Sequence, residues 1–325
     1  MWTTFVSLLG SVTVASALAC SSTVASRAGN ASAGGDQAGG SSDTTGGGSV
    51  SSGAAGAVGS SGAGGASNGA GGSAAGGGGT AGASGAGGSA VVMMGCAGLP
   101  LCDDFESAAA GGPPSTAKWK VGAPNGTGSG TLTIDGAQAH SGTKSVRVDG
   151  KAGYSNHIFF YNESAVAGIG KLVFGRMFVR FSQTLADGHA TFMTMKDSGD
   201  MKDLRMGGQM KILMYNRELN DATLPVLSPM GIAKSLSPAP STWLCIELEI
   251  DGNTGEIQTW VDGTEVAGLH ADATPTQDID QQWLSSGVYK ASLTDVKFGW
   301  ESYAGGDMTL WFDDVALAAQ RIGCN

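Results

Sequence analysis

A cluster of cationic, phenolic and amide side chains between residues 204 and 217 is the part of the sequence best suited to chemistry. We interpret Leu204–Arg217 as one β-strand, because apolar and polar side chains alternate along it. Successive side chains of a strand point to opposite faces. One face would carry Leu204, Met206, Met210, Ile212 and Met214. The opposite face would carry groups that can bind an anion or transfer a proton, namely Arg205, Gln209, Lys211, Tyr215 and Arg217.

The residues around this strand are locally cationic although the chain is acidic. Residues 171–217 contain eight Lys and Arg against four Asp, whereas the whole chain of 325 residues has a net charge of −10. Such an acidic chain argues against a nucleic-acid partner. Two preceding predicted strands add His189 and the pair Arg176 and Arg180, which share a face because they are four residues apart. If the three strands are neighbours, these side chains line one groove, and our hypothesis is that it holds an acidic sugar chain.

The N-terminus has the pattern of an export signal. Met1–Ala19 is apolar and rich in small residues, and Cys20 follows it. This order resembles a bacterial lipoprotein signal in which Cys20 is lipidated. No Lys or Arg precedes Cys20, however, so an ordinary signal peptide cut near Ala19 is the alternative. We expect export, either to the bacterial cell surface or outer membrane as a lipoprotein or as a secreted protein, with membrane contact only through a lipid at Cys20.

Residues 21–95 are dominated by Gly, Ala and Ser, so they cannot bury enough apolar surface to fold. We interpret them as a disordered linker and residues 96–325 as one domain, expected to be a monomer. Four cysteines remain in an exported chain, which fits two disulfides. The sequence leaves three pairings open. We favour Cys96–Cys102 as a local link and Cys245–Cys324 as a long-range one. A zinc site is the alternative, but no CxxC pair or nearby His supports it.

Strand patterns dominate the domain after Cys96. Short runs of strand-forming residues alternate with turns rich in Gly, Asp and Asn, and Leu244–Ile250 shows the alternation of a half-buried antiparallel strand. Asp251–Gly255 is a typical hairpin turn after it. Asn220–Pro240 is less regular and is interpreted as a long loop, of the kind that often carries function. The fold class is therefore predicted to be all-β, a single β-sandwich jelly roll.

Three short motifs resemble the frame of concanavalin A-like jelly rolls found in carbohydrate-binding modules and polysaccharide lyases. They are Cys-Asp-Asp-Phe-Glu at Cys102–Glu106, Ser-Gly-Thr-Lys-Ser-Val at Ser141–Val146 and Trp-Phe-Asp-Asp-Val at Trp311–Val315. The whole of Cys96–Cys324 resembles the Cip1-like core domain, which is related to glucuronan lyases. Non-catalytic modules share the first and last motifs, so the resemblance indicates the fold more than the activity.

The resemblance implies a structural Ca²⁺ ion between the first strand, the last strand and the intervening turn. Calcium binds carboxylate and backbone carbonyl oxygens. The implied carboxylates are Glu106 and either Asp313 or Asp314, and the implied carbonyls lie in the turn Ser141–Lys144. The alternative is that these acids are surface groups at strand ends.

The resemblance also implies lyase chemistry on an acidic polysaccharide. A lyase neutralises the substrate carboxylate, removes the neighbouring proton and protonates the leaving oxygen. We assign Arg205 and Gln209 to the carboxylate, His189 to neutraliser or base, and Tyr215 to acid or base. Trp300 and Tyr303 are candidates for stacking on sugar rings. The alternatives are a non-catalytic carbohydrate-binding domain, a structural protein with no ligand, and, ranked below the lyase, a hydrolase using Glu247 and Glu249.

Overall fold

The computed structural model describes residues 96–124 and 128–325. The predicted signal peptide, the linker and Cys20 lie outside the described residues. Within these ranges the chain forms fifteen strands, two short α-helices and one 3₁₀ helix at Ala267–Leu269. The strands are β1 (Leu101–Asp103), β2 (Lys120–Gly122), β3 (Thr131–Asp135), β4 (Ser145–Gly150), β5 (Asn156–Asn162), β6 (Leu172–Phe181), β7 (Ala190–Asp197), β8 (Lys202–Gln209), β9 (Ile212–Arg217), β10 (Thr223–Leu224), β11 (Trp243–Asp251), β12 (Ile257–Val261), β13 (Thr264–Glu265), β14 (Val296–Ser302) and β15 (Met308–Ala318), and the helices are α1 (Ala165–Ile169) and α2 (Pro229–Ile232).

The strands form two antiparallel sheets, which confirms the predicted all-β sandwich. The eight-stranded sheet has the order β13-β12-β11-β6-β15-β4-β3, with β1 also paired to β15. The seven-stranded sheet has the order β10-β9-β8-β7-β14-β5-β2. No helix of the described residues is long and apolar enough to cross a membrane.

The core lies between the inner faces of the two sheets, where alternate residues of each strand meet. In the seven-stranded sheet, Phe298 and Trp300 of β14 point inward, whereas Lys297 and Glu301 line the outer face. Trp300 is fully buried and its Nε1 donates to the carbonyl oxygen of Gly306 at 3.2 Å. The prediction that Trp300 stacks on a sugar is therefore wrong, because strand alternation places this ring in the core.

The predicted single strand Leu204–Arg217 is a hairpin, so that prediction is wrong. Met210 and Lys211 both have positive φ, at 53° and 67°, as a two-residue turn between β8 and β9 requires. The turn reverses the chain, and Met206 then pairs with Tyr215 while Arg205 pairs with Asn216. Residues paired across two strands point to the same face. Each residue after the turn therefore lies on the face of the sheet opposite to the one that a continuous strand would give it.

Tyr215 consequently lies in the core, on the face of Met206. It is fully buried, and its hydroxyl is 3.0 Å from Thr259 Oγ1. Lys211 lies at the exposed turn, with its Nζ 3.4 Å from Asp187. Arg217 is buried beneath Trp283 and Tyr289, with its guanidinium 4.3 Å from the centre of the Tyr289 ring. None of the three is on the polar face on which the sequence pattern placed it.

The assumed adjacency of three strands holds for β7 and β8 but not for β6. β6 lies in the eight-stranded sheet between β11 and β15. On the outer face of that sheet, Arg176 Nε donates to the carbonyl oxygen of Asp314 at 3.2 Å, and Arg180 Nη1 donates to Gln138 Oε1 at 2.8 Å. The two arginines stabilise the opposite sheet, so the prediction that they line the same groove as Arg205 is wrong.

Two disulfides join Cys96 to Cys102 and Cys245 to Cys324, which confirms the favoured pairing. The second bond ties the C-terminal segment to β11. Nearby, Glu247 of β11 is buried and receives Arg321 Nη2 at 2.9 Å. Glu247 is thus a structural ion-pair partner on the eight-stranded sheet, which removes the basis for the hydrolase alternative.

Candidate functional site

A groove with two lobes crosses the outer face of the seven-stranded sheet. Lobe 1 has a volume of about 330 Å³ and lobe 2 a volume of about 470 Å³. Arg205 of β8 and Tyr303, directly after β14, line both lobes. The two side chains therefore form the boundary between the lobes and the natural centre of the site.

Arg205 and Tyr303 are held together by a third residue, Glu301 of β14. Arg205 Nη2 donates to Tyr303 Oη at 2.6 Å, and Tyr303 Oη donates to Glu301 Oε1 at 3.0 Å. Arg205 Nε lies 3.5 Å from Glu301 Oε2, and Arg205 Nη2 lies 3.4 Å from Glu218. The guanidinium, the phenol and the carboxylate thus form one network of charge-assisted contacts.

Backbone contacts fix this network in place. The amides of Tyr303 and Ala304 both donate to the carbonyl oxygen of His189, at 3.1 and 3.0 Å, and hold the segment after β14 against the start of β7. Gly207 lets β8 approach β7 closely, because a Cβ at this position would lie 1.8 Å from the carbonyl oxygen of Ala190. The position of Tyr303 is therefore set by main-chain hydrogen bonds as well as by its side chain.

His189 lies beside Tyr303 in lobe 2. The two rings are stacked, with centroids 5.1 Å apart and an interplanar angle of 13°. His189 Nε2 is buried and has no hydrogen-bond partner among the residues that the structure describes. Burial, helped by the positive charge of Arg205, lowers the pKa of His189 to about 4. The imidazole is therefore neutral near pH 7, as a general base must be.

Lobe 1 is densely charged, and most of its charges are paired. Lys297 Nζ donates to Asp295 at 2.7 Å and lies 3.4 Å from Asp203, and Lys202 lies 3.4 Å from Glu218. Lobe 1 thus presents neighbouring charges of both signs.

Lobe 2 is lined mainly by polar side chains and carries one exposed aromatic ring, with Arg205 and Asp221 as its charged groups. Tyr154 is 82% exposed and meets Tyr303 edge-on at 5.3 Å. The other residues that line this lobe include Gln209, Asn216, Asp221, Thr223, Leu227 and Gln282. Tyr154 offers an exposed flat ring of the kind on which sugars stack, and it is absent from the residues predicted from the sequence. Its position in a glycine-containing turn between two strands was the available signal.

The structure brings together four of the predicted site residues, His189, Arg205, Gln209 and Tyr303. The segment interpreted as a long loop contributes to the same lobe through Asp221, Thr223 and Leu227. The hairpin supplies Asn216 in place of Tyr215. The groove residues that the sequence analysis did not single out are mainly Tyr154, His157 and Glu301.

The residues predicted to hold calcium lie close together, and hydrogen bonds link them directly to one another. Glu106 Oε1 accepts from the amides of Thr143 and Lys144, both at 2.7 Å, and Lys144 Nζ donates to the carbonyl oxygen of Glu106 at 2.7 Å. Asp313 accepts from the amides of His140 and Ser141, and the hydroxyl of Ser141 donates to Asp314 at 3.0 Å.

The turn thus directs N–H groups, not the expected carbonyl oxygens, at the carboxylates. Burial and the charge of Asp314 raise the pKa of Asp313 to about 7. No cluster of three His, Cys, Asp or Glu suited to a metal occurs in the described ranges. The arrangement does not fit the predicted ligand set, and calcium stays a prediction.

Residues 104–320 match the family described as polysaccharide lyase-like, Cip1-like core domain. The chain belongs to this family. Among solved structures, the Cip1-like chain is similar to "Cellulose induced protein, Cip1", with 36% identity, a TM-score of 0.64, and coverage of 69% of this chain and 100% of that chain. It is also similar to an endo-β-1,4-glucuronan lyase from the fungus Trichoderma reesei, with 13% identity, a TM-score of 0.46, and coverage of 68% and 96%. No curated protein matches the sequence.

Proposed function

We propose that the groove binds an acidic polysaccharide and cleaves it by β-elimination. The observation that carries this proposal is the meeting of three groups at the boundary between the lobes. They are the Arg205 guanidinium, the Tyr303 phenol and the unpartnered His189 imidazole nitrogen. Membership of the polysaccharide lyase-like family supports a carbohydrate as the class of ligand. A polymer that crosses the boundary would place a glycosidic bond beside these groups.

The reaction needs a proton acceptor, a proton donor and a positive charge. Arg205, with the amide of Gln209, would neutralise the substrate carboxylate and so make the neighbouring C–H acidic. The imidazole of His189 would accept that proton, since it is neutral near pH 7. Its Nε2 is buried in the free protein, so the ring must turn toward the substrate in this step. The C–H electron pair would form the new C=C bond while the bond to the leaving oxygen breaks.

Tyr303 would supply the proton to the leaving oxygen. Burial and the charge of Glu301 raise the pKa of Tyr303, which keeps the phenol protonated. Tyr303 thus takes the role that the sequence analysis gave to Tyr215. The Tyr303 hydroxyl donates to Glu301 at rest, so it must turn from Glu301 toward the substrate oxygen in this step.

The test is the ultraviolet absorbance of the unsaturated product with glucuronan, alginate and pectin. We expect His189→Ala and Tyr303→Phe to lower turnover by roughly 10²- to 10⁴-fold, the range typical of general acid–base groups. Tyr215→Phe is the matched control, because Tyr215 lies in the core. It should retain turnover and lose about 1 kcal/mol of stability with its hydrogen bond to Thr259. Loss of turnover in Tyr215→Phe with full activity in Tyr303→Phe would contradict the assignment.

A non-catalytic binding groove is the second candidate. Arg205 favours it, because its guanidinium is already bonded to Tyr303 and lies near two carboxylates. This candidate requires tight binding of one polymer with no unsaturated product from any of them. In that case His189→Ala and Tyr303→Phe would weaken binding only modestly.

We also propose that the protein is exported and tethered through a lipid at Cys20. The two disulfides support export, because such bonds persist in oxidising compartments. Metabolic labelling with a radioactive fatty acid should mark the full-length chain but not the Cys20→Ala variant. Equal labelling of both, or of neither, would remove the lipid anchor from the proposal.

A further inference from the structure

Glu301 is a buried carboxylate at the boundary of the groove. It is only 6% exposed, and a buried charge is costly unless it is paired. Its Oε1 accepts from Tyr303 Oη at 3.0 Å and lies 3.3 Å from His157 Nδ1, and its Oε2 lies 3.5 Å from Arg205 Nε. Glu301 therefore joins both central residues of the groove to a histidine of the neighbouring strand β5.

His157 is placed so that both its ring nitrogens must donate. The residue is 4% exposed, and its Nε2 lies 2.8 Å from the carbonyl oxygen of Pro124. A carbonyl only accepts, so Nε2 carries a proton. A neutral ring would then direct the lone pair of Nδ1 at the carboxylate of Glu301, which is repulsive. The contacts on both sides of the ring are satisfied together only by the imidazolium form.

The charges around this pair support the same protonation state. Burial alone would lower the pKa of His157, but the hydrogen bond and charge of Glu301 and the carbonyl of Pro124 raise it. Burial alone would raise the pKa of Glu301, but the hydrogen bond from His157 and the charges of Arg205 and His157 lower it. Lobe 1 contains further charged or titratable groups around the pair, namely Tyr303, Glu218, Lys202, Lys196, Lys297 and Asp203. Two of its lysines, Lys202 and Lys297, are paired with acids.

We propose that His157 is a positioning residue that, as a doubly donating imidazolium, holds Glu301 and through it the Tyr303 hydroxyl and the Arg205 guanidinium at the boundary of the groove. This proposal rests on the proposed function, because it takes Tyr303 as the proton donor. When His157 loses its proton, the carboxylate loses one of its two positive partners. Glu301 then binds the Tyr303 proton more strongly and opposes its transfer to the leaving oxygen.

The pH dependence of turnover follows from two histidines of opposite character. His189 must be neutral to accept a proton, so activity falls toward acid as His189 becomes charged. His157 must be charged to hold Glu301, so activity falls toward alkali as His157 becomes neutral. The raised pKa of His157 and the lowered pKa of His189 place these two limbs on either side of the ordinary histidine value.

The charge state can be measured without a substrate. The chain has four histidines, so nitrogen NMR of the full-length protein labelled at histidine can resolve each ring. The NMR signals of the His157 ring are identified by their loss in His157→Asn. If that variant does not fold, they are identified by elimination, with single substitutions of His140, His189 and His270. We expect both nitrogens of His157 to be protonated at pH 6, with a titration midpoint above about 6.5, because the pKa of His157 is raised. A titration midpoint of His157 at or below about 6.5 overturns the proposal.

Glu301→Gln separates a charge effect from a packing effect, because the amide has nearly the same shape as the carboxyl group. We expect the titration midpoint of His157 to move down in Glu301→Gln and to stay in place in His270→Asn, a remote control. An unchanged midpoint in Glu301→Gln would show that Glu301 does not hold the charge, and would overturn the proposal.

The activity measurement distinguishes this inference from the proposed function. With a polymer that the wild-type protein cleaves, His157→Gln should lower kcat by roughly 10- to 100-fold, as loss of an outer partner of a site does, and remove the alkaline limb. An unchanged alkaline limb overturns the role of His157 and leaves the lyase function standing. If no polymer is cleaved, the proposed function fails, and the NMR titration still decides whether His157 holds Glu301 as an imidazolium.

Discussion

The pH dependence of the free energy of unfolding tests whether the position of His189 in the groove shields its ring from protonation. His189 stacks on Tyr303, and its pKa is lowered to about 4 by burial and by the charge of Arg205. The perturbation is His189→Gln, which removes the titrating group and keeps a polar side chain. The comparison of interest is the difference in the free energy of unfolding between the variant and the wild type at two pH values.

The magnitude follows from the two pKa values of His189. An unfolded histidine has a pKa of about 6.5. Because the folded protein binds this proton less tightly, acid favours the unfolded chain, and stability falls as the pH drops below about 6.5. At pH 5 the penalty is about 2 kcal/mol, and it approaches about 3 kcal/mol near pH 4, where the folded protein also binds the proton. At pH 7 the penalty is nearly absent.

Urea denaturation of both proteins at pH 7 and pH 5 measures this effect. We expect the variant to gain about 2 kcal/mol relative to the wild type when the pH is lowered from 7 to 5. Asp313, whose raised pKa acts in the opposite direction between pH 7 and 4, is present in both proteins and cancels in the comparison. His270→Gln is the control for the loss of a histidine outside the groove. An equal difference at both pH values would refute the shielding of His189 and its role as a neutral base.

Three further predictions concern binding, disulfides and calcium. Tyr154→Ala should weaken binding of a cleaved or bound polymer by about 1 kcal/mol, roughly fivefold, because it removes an exposed ring beside Tyr303; unchanged affinity in calorimetry would exclude it as a stacking residue. Replacing both Cys245 and Cys324 by Ser should cost about 4.5 kcal/mol in urea denaturation, against about 2 kcal/mol for the Cys96–Cys102 pair, because the closed loops span 79 and 6 residues. If calcium binds the predicted frame, a chelator should lower the melting temperature, and an unchanged calorimetric melt would count against it.

Much of the fold could be predicted from local patterns. The strand Leu244–Ile250, predicted from its alternation of apolar and polar residues, lies within β11. The hairpin of β8 and β9 was missed because its turn is Met210-Lys211, which lacks the Asn-Gly or Asp-Gly signature of such turns. One unrecognised turn was enough to misplace Tyr215 and Arg217, since every residue after it changes face.

The fold class, the family and four residues of the groove could be inferred without a structure. Arg205, Gln209 and His189 could be found because the first two share a strand face and the third begins the neighbouring strand. The place of β6 in the other sheet, and the contacts of Glu301 with His157, Arg205 and Tyr303, became evident only from the folded chain. Strand order and register depend on contacts between residues far apart in the chain, and the alternation along a single strand does not contain them.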